Sequence, residues 1–276
     1  MAYNLCLGGA DRVEEIHSVL AATAADAVAL TEADNPQVVA GLAARLGMQH
    51  VWAEGSGDRH IALLSRFPIT SWRIYNRPPL TQAVLETTLD LRHVTSFDFA
   101  QDRRDTSHIS RVTLYSVHFL PYLLLPFEIR RAQAVNGLLG IIRRHQPGPH
   151  LILGDVNAIA PGDRVLQRSN PARMRRVMAL QGGLVFHTAI SRLLRAGYVD
   201  CYRAMHPPTP SASSPDGMDP LDGFTWMTGN RTTRYDYIFA DSQLAPRLRQ
   251  CWVVDDIPAV EKASDHYPLM ACFELP

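Results

Sequence analysis

The chain has 276 residues, with 27 Lys and Arg against 27 Asp and Glu, and 46% of it is hydrophobic. That mix belongs to a globular protein with a sizeable core, not a disordered chain, and the balanced charge excludes one that gathers nucleic acid through a global positive field. Nearly all the positive charge is arginine: Lys262 is the only lysine and no glycine loop surrounds it, which argues against phosphate-loop, Schiff-base and kinase-type lysine chemistry.

Tyr3 to Leu7 reads as a short strand that Gly8-Gly9 ends, and Val13, Ile16, Val19 and Leu20 place a helix over Arg12 to Ala25. Ala27 to Leu30 is a buried strand; Asn35-Pro36 then opens a helix through Leu46, which Gly47 closes. Strands follow in series at Val51–Ala53, Ile61–Ser65, Ile69–Tyr75 and Ala83–Leu91, and their alternation suggests antiparallel neighbours. Arg111–Phe119 is a strand, Phe127–His145 a long helix and His150–Leu153 a buried strand. Ala172–Leu180 and Thr188–Ala196 are helical, and Phe224–Met227, Tyr235–Ala240, Cys251–Val254 and Leu269–Leu275 complete the strands. Two polar stretches, 93–110 and 207–223, read as exposed insertions in one domain spanning 1–276.

Cys6, Cys201, Cys251 and Cys272 lie far apart with no C-x-x-C pair, which suits neither a structural zinc nor a disulfide framework. No basic-then-apolar leader opens the chain, and a cytoplasmic location is expected. The most apolar run, Phe119 to Phe127, is broken by Pro121 and Pro126. It falls short of the roughly 20 residues that a membrane-spanning helix needs, so no stable membrane insertion is expected. No obligate protein partner is readable.

The informative pattern is where polar residues interrupt apolar strands. Val28-Ala29-Leu30-Thr31 runs into Glu32, Leu114-Tyr115-Ser116-Val117 into His118, and Leu151-Ile152-Leu153-Gly154 into Asp155, with Asn157 two residues on. Asp236 sits between Tyr235 and Tyr237, and Asp265-His266 comes just before the last strand. A buried carboxylate costs several kcal/mol unless it is paired or holds a metal. One such residue is usually a cap; several at strand ends ask for a shared pocket. Oxygen ligands without cysteine favour Mg²⁺ or Mn²⁺ over zinc, and a hard cation beside histidine and asparagine suits phosphate ester hydrolysis.

Tyr3-Asn4-Leu5 with Gly8-Gly9, Leu30-Thr31-Glu32, Ser116-Val117-His118-Phe119, Gly154-Asp155-Val156-Asn157, Arg234-Tyr235-Asp236-Tyr237-Ile238-Phe239 and Ser264-Asp265-His266-Tyr267-Pro268 appear in that order. Together they resemble the endonuclease/exonuclease/phosphatase superfamily, that of DNase I, exonuclease III, sphingomyelinases and inositol-polyphosphate 5-phosphatases. The resemblance implies an α+β fold: a four-layer α/β/β/α sandwich of two mixed, largely antiparallel sheets, with the active site at one end. It implies that Glu32 binds the catalytic metal, with Asn4 positioning groups around it and Asp265 as a possible second ligand or a loop support. Asp155 would orient or deprotonate the attacking water, Asn157 would bond the phosphate or the nucleophile, and His118 would contact the phosphate. Asp236 would pair with His266 and favour its imidazolium, although that pair is also a candidate base dyad. Cys6 stands where exonuclease-III-like repair enzymes carry an aspartate, and the His118 motif differs from their Tyr-x-Pro-Asn pattern. Both departures disfavour a dedicated abasic-site nuclease.

The expected function is a Mg²⁺- or Mn²⁺-dependent phosphoesterase acting on phosphodiesters. Nuclease-type substrates stand slightly ahead of lipid head groups or inositol phosphates, and a non-catalytic binding scaffold is the competing class. Eight arginines between Pro161 and His206, opposed only by Asp163 and Asp200, are candidates to track nucleic-acid phosphates. For most of them a solvated helix face is the plainer reading. For Arg234, a structural partner for a nearby carboxylate is the plainer one. Leu120 to Phe127 would either wall the cleft or pack against its own helix.

Overall fold

The computed structural model describes residues 1–55, 59–92, 109–166, 172–207 and 223–275, so the expected insertions at 93–110 and 207–223 lie almost wholly outside the described residues. In chain order the elements are β1 (Ala2–Asn4), α1 (Val13–Thr23), β2 (Ala27–Thr31), α2 (Pro36–Leu46), β3 (Gln49–Ala53), β4 (Ile61–Ser65), β5 (Ile69–Tyr75), β6 (Val84–Asp90) and β7 (Arg111–His118). There follow α3 (Leu125–His145), β8 (His150–Asp155), α4 (Ala172–Leu180), α5 (Thr188–Arg195), β9 (Val199–Asp200), α6 (Cys201–Met205), β10 (Asp236–Ala240), β11 (Leu248–Val253), α7 (Val260–Ala263) and β12 (Leu269–Phe273).

The strands form two six-stranded sheets, ordered β11-β12-β1-β2-β4-β3 and β5-β6-β7-β8-β10-β9. Among the described residues only β1–β2 and β7–β8 pair in parallel, each joined through a helix; the remaining pairs are antiparallel. Period-two alternation sorts the side chains into layers. Ala29, Leu63, Leu85, Leu114, Leu153 and Ile238 meet between the sheets. The opposite rows, Val28 and Leu30 on one sheet and Tyr115, Ile152 and Phe239 on the other, pack under α1 with α2 and under α3 with α5 respectively. The result is the expected α/β/β/α sandwich.

Asn35 caps α2, its Oδ1 accepting from the N–H groups of Gln37 and Val38, so Glu32 is free of that capping duty. The structure departs from expectation at Phe224–Met227, which is no strand. Trp226 alone bridges Thr233 and His266, and the N–H groups of Thr225 and Trp226 both donate to the Thr233 carbonyl, closing a local turn. The short elements β9, α6 and α7 went unread; α6 exists because Asp200 Oδ1 accepts from the N–H groups of Tyr202 and Arg203. Among the described residues no helix is long and apolar enough to cross a membrane.

Candidate active site

Three adjacent strands of one sheet deliver three polar side chains to one level. His118 and Asp155 are Cα partners across the parallel β7–β8 pair, and Asp155 and Asp236 are partners across the antiparallel β8–β10 pair. Equal register places all three on the inner face. The other sheet meets them with Asn4 at the end of β1 and Glu32 just beyond β2, while His266 precedes β12. The contact between sheets is direct: Asn4 Nδ2 donates to Asp155 Oδ2 at 3.0 Å and to Glu32 Oε1 at 3.3 Å. The sandwich therefore closes around these residues.

Backbone built for the purpose holds Glu32. Cys6, Leu7, Gly8 and Gly9 all have positive φ, as does Glu32 itself. This left-handed turn brings the Leu7 N–H to Glu32 Oε2 at 2.9 Å and the Gly8 N–H to the Glu32 carbonyl at 2.9 Å. Arg12 ties the turn down, donating to the carbonyls of Cys6 and Ala263. A run of non-glycine residues in this region costs about 1–3 kcal/mol each, and persists where the surroundings over-determine it.

Asp236 and His266 are paired, with His266 Nδ1 2.7 Å from Asp236 Oδ2. Burial lowers the pKa of His266, but the charge and hydrogen bond of Asp236, with Asp155 and Asp265 adding, push it up to about 10. His266 is thus an imidazolium at neutral pH. His118 is the opposite case. Burial, then the charges of Arg59 and His266, lower it to about 3, so it stays neutral although its Nε2 lies 3.7 Å from Asp155 Oδ2. Burial, together with the charges of Asp236 and Glu32, pushes Asp155 up to about 8, and His266 and the Asn4 hydrogen bond only partly oppose this.

These residues fit a hard divalent cation in part. A buried carboxylate driven toward protonation by its acidic neighbours is the electrostatic setting a cation relieves. Glu32 and Asp155 supply oxygen donors, and Cys6, a half-buried thiol raised to about 11 by burial and Asp265, supplies no thiolate. Among the described residues no group of three or more His, Cys, Asp or Glu forms a ready cage. Such a site suits a cation that keeps much of its own water. Asn4 is oriented otherwise than expected of a ligand: its Oδ1 accepts from the Cys6 N–H at 2.8 Å, which leaves the amide N–H₂ to bridge the two carboxylates. Asp265 is exposed and lies on the Cys6 side, accepting from Trp226 Nε1 at 3.3 Å.

Asn157 joins the site through its neighbour. Its N–H donates to Asp155 Oδ1 at 2.9 Å and its Nδ2 to the Phe119 carbonyl at 3.1 Å. Sequence reasoning missed two positioning hydroxyls. Ser264 Oγ donates to the Asn4 carbonyl at 2.7 Å and accepts from the His266 N–H, and Thr225 Oγ1 accepts from the Asp236 N–H. Ser264 had a signal, standing in the same motif as His266; Thr225 had none. Arg59 was also missed; its charge reaches His118, and its only signal was its place just before β4.

The arginine-rich segment is not one phosphate track. Arg203 is committed to Asp163 and Arg192 donates to the Ala132 carbonyl, while Arg168 and the side chain of Arg173 lie outside the described residues. Arg195 ends α5, close before Tyr198, whose hydroxyl reaches His150 at the start of β8, the strand end opposite Asp155. Arg234 is fully buried and bonds Asp200 and Asp163, the structural role expected of it. The Leu120–Phe127 loop is part buried and part exposed, and α3 holds it through Arg131. Phe119 and Leu123 are buried, Tyr122 and Leu125 are exposed, and Arg131 holds the carbonyls of Leu120 and Tyr122.

Carboxylates, an imidazolium and an amide at one rim of a two-sheet sandwich define a class, that of hydrolases of phosphate esters. The chain matches the endonuclease/exonuclease/phosphatase family over residues 1–266 and belongs to that family, whose members are hydrolases of phosphate ester bonds. Among solved structures, the 3′-5′ exonuclease NExo from Neisseria meningitidis is similar with a TM-score of 0.66 at 19% identity, covering 98% of each chain. A 3′ phosphatase form of NExo bound to a product DNA hairpin matches with the same figures, a TM-score of 0.66 at 19% identity over 98% of each chain. An AP endonuclease from Archaeoglobus fulgidus gives 0.65 at 17% identity over 99% of this chain and 98% of that chain. At these identities the likeness is one of fold.

Proposed function

We propose that this chain is a Mg²⁺- or Mn²⁺-dependent phosphodiesterase that hydrolyses its substrate by in-line attack of water, with nucleic acid as the leading substrate class. One observation carries the reading: His118, Asp155 and Asp236 stand in register across three strands, facing Asn4, Glu32 and His266. Glu32 would hold the cation with Asp155 nearby, and when bound the cation neutralises phosphate charge. Asp155, oriented by Asn4 and the Asn157 N–H, takes the proton of the attacking water. Asn157 keeps its amide oxygen for that water, because its Nδ2 is spent on Phe119. His266, positive through Asp236, faces the negative charge that develops on the phosphoryl oxygens; His118, being neutral, serves as a hydrogen-bond partner. The NExo structure with a product DNA hairpin supports nucleic acid by likeness of fold. The four free cysteines suit a reducing compartment such as the cytoplasm.

A second reading, a lipid-directed phosphodiesterase, is favoured by one feature: Tyr122, Leu125 and Ile129 are exposed apolar side chains shortly after His118. Turnover of bis-p-nitrophenyl phosphate with Mn²⁺, abolished by EDTA and cut at least about 100-fold in Glu32→Gln, is the expected result. A panel of plasmid, single-stranded DNA, RNA, sphingomyelin and inositol phosphates then separates the substrate classes. No metal-dependent turnover on any of them would leave the chain a binding scaffold.

A further inference from the structure

Arg59 stands two residues before β4. It is half-buried, and among the described residues its guanidinium makes no ion pair or hydrogen bond. Its position is nonetheless fixed. The next residue, His60, donates its N–H to Asp34 Oδ1 at 2.9 Å and accepts from the Ala33 N–H at 2.9 Å, and its ring packs 4.8 Å from that of Trp52. Ile61 is the Cα partner of Thr31. These contacts hold Arg59 at the strand ends where the chain leaves β2 for Glu32. Ile61 points between the sheets while the His60 ring packs on Trp52 on the helix side, so alternation turns Arg59 toward the space between the sheets, where the cleft opens.

The charges of the site leave a vacancy of function that Arg59 fills. The His266 ring is taken up by Asp236, with Nδ1 2.7 Å from its Oδ2. Of the other guanidinium groups near the site, Arg234 is fully buried and spent on Asp200 and Asp163, and Arg131 is spent on Glu128 and the carbonyls of Leu120 and Tyr122. Arg59 is thus a guanidinium at the mouth with no described partner. A planar fork of donors matches the non-bridging oxygens of a phosphate, and a charge-assisted pair of that kind is among the stronger polar contacts. We propose that Arg59 is a substrate-binding residue that holds the non-bridging oxygens of the substrate phosphate on the His118 side of the cleft. This inference rests on the phosphoesterase reading of the same site.

The test reads anion binding apart from turnover. Inorganic phosphate is titrated calorimetrically into the wild type, Arg59→Ala and Arg59→Lys, in EDTA and again with Mn²⁺, with melting temperatures taken alongside. The expected result is a Kd at least tenfold weaker in Arg59→Ala, with Arg59→Lys closer to the alanine variant because a point charge cannot replace the fork. On bis-p-nitrophenyl phosphate KM should rise at least tenfold while kcat stays within about threefold, the pattern of lost binding common to ground and transition states. Phosphate affinity unchanged in Arg59→Ala, or no phosphate binding by the wild type, overturns the proposal. A merely structural role would lower the melting temperature and kcat and leave the phosphate Kd alone. Failure of the phosphoesterase reading would show separately, as wild type without metal-dependent turnover whatever the phosphate titration gives.

Discussion

Asp155 and Asp236 are partners across two adjacent strands, yet of the two only Asp236 bonds a counter-charge directly, the His266 ring at 2.7 Å. Two carboxylates at one level thus occupy opposite electrostatic states. One is half of an ion pair and the other is held back from ionising. That division is what acid–base chemistry at neutral pH requires.

Replacing Asp236 by Asn keeps its shape and removes the charge. Burial, the largest influence on His266, is then opposed only by the charges of Asp155 and Asp265, so the ring falls from about 10 toward its ordinary 6.5. Ring proton resonances should show a charged His266 at pH 7 in the wild type and a neutral one in Asp236→Asn. The variant's kcat/KM should fall by about 10²–10³. Because the folded-state value is raised, the pair's stabilisation is complete below pH 6.5 and lost as pH rises through about 10. Wild-type melting temperature should therefore lose more over that interval than the variant's. A His266 that remains charged in Asp236→Asn would sink the assignment.

Asp155 links cation binding to pH. Burial, then Asp236 and Glu32, hold it at about 8 in the cation-free protein, so a cation arriving beside it must release a proton. Affinity for Mg²⁺ or Mn²⁺ should rise with pH by up to about tenfold per unit below pH 8 and flatten above it. Calorimetry in buffers of differing ionisation enthalpy counts the proton directly, and Asp155→Asn should abolish it. Affinity indifferent to pH would contradict this account.

The site was legible in the sequence where polarity broke an apolar pattern. Glu32, His118, Asp155 and Asp236 each interrupt or end a strand whose other inward positions are Ala29, Leu114, Leu153 and Ile238, and burial makes such an interruption expensive without a partner. The sandwich followed from the same alternation and from the resemblance the motifs carried. Arg59 was illegible because an arginine in a glycine-bearing loop looks like any solvated residue until the fold shows what it faces. Phe224–Met227 misled because an apolar run reads alike as strand or as turn, and only Thr233 and His266 across space decide. The arginine segment misled for a related reason. No periodicity connects Asp163 with Arg203 and Arg234, so pairs internal to the fold resembled a free basic face.

Arg234 is a structural cation, and its loss should unfold rather than merely weaken. Its side chain is fully buried, donating to Asp200 at 2.9 and 2.6 Å and to Asp163 at 2.8 Å, with its guanidinium 4.3 Å from the Tyr237 ring centroid. Arg234→Met strands Asp200 in the interior and leaves Asp163 to Arg203 alone, and breaking such a network costs about 3–5 kcal/mol. Arg234→Lys should recover little, because the ammonium cannot bond both oxygens of Asp200 in plane. Urea unfolding measures both variants, and a loss below about 1 kcal/mol would show the network to be dispensable.

Gly154 explains why the motif before Asp155 carries a glycine. Its φ is +135°, and a Cβ there would stand 2.1 Å from the Val117 carbonyl oxygen and 3.2 Å from the Val117 nitrogen. Val117 and Gly154 are partners in the parallel β7–β8 pair, so the obstacle is backbone and cannot swing away. The next pair along is His118 with Asp155, which means that any widening at Gly154 is passed straight into the site. Gly154→Ala should cost about 1–3 kcal/mol from overpacking and about 1–3 kcal/mol from backbone strain. Misplacement near 1 Å should lower kcat about 100-fold. Gly148→Ala is the control: its φ is +76° but nothing lies within 4 Å of the added methyl, and it precedes β8 at the end away from Asp155. That variant should show the strain alone, with activity intact. Equal effects in the two variants would mean that left-handed backbone, rather than the close approach of β7, is what the glycine before Asp155 provides.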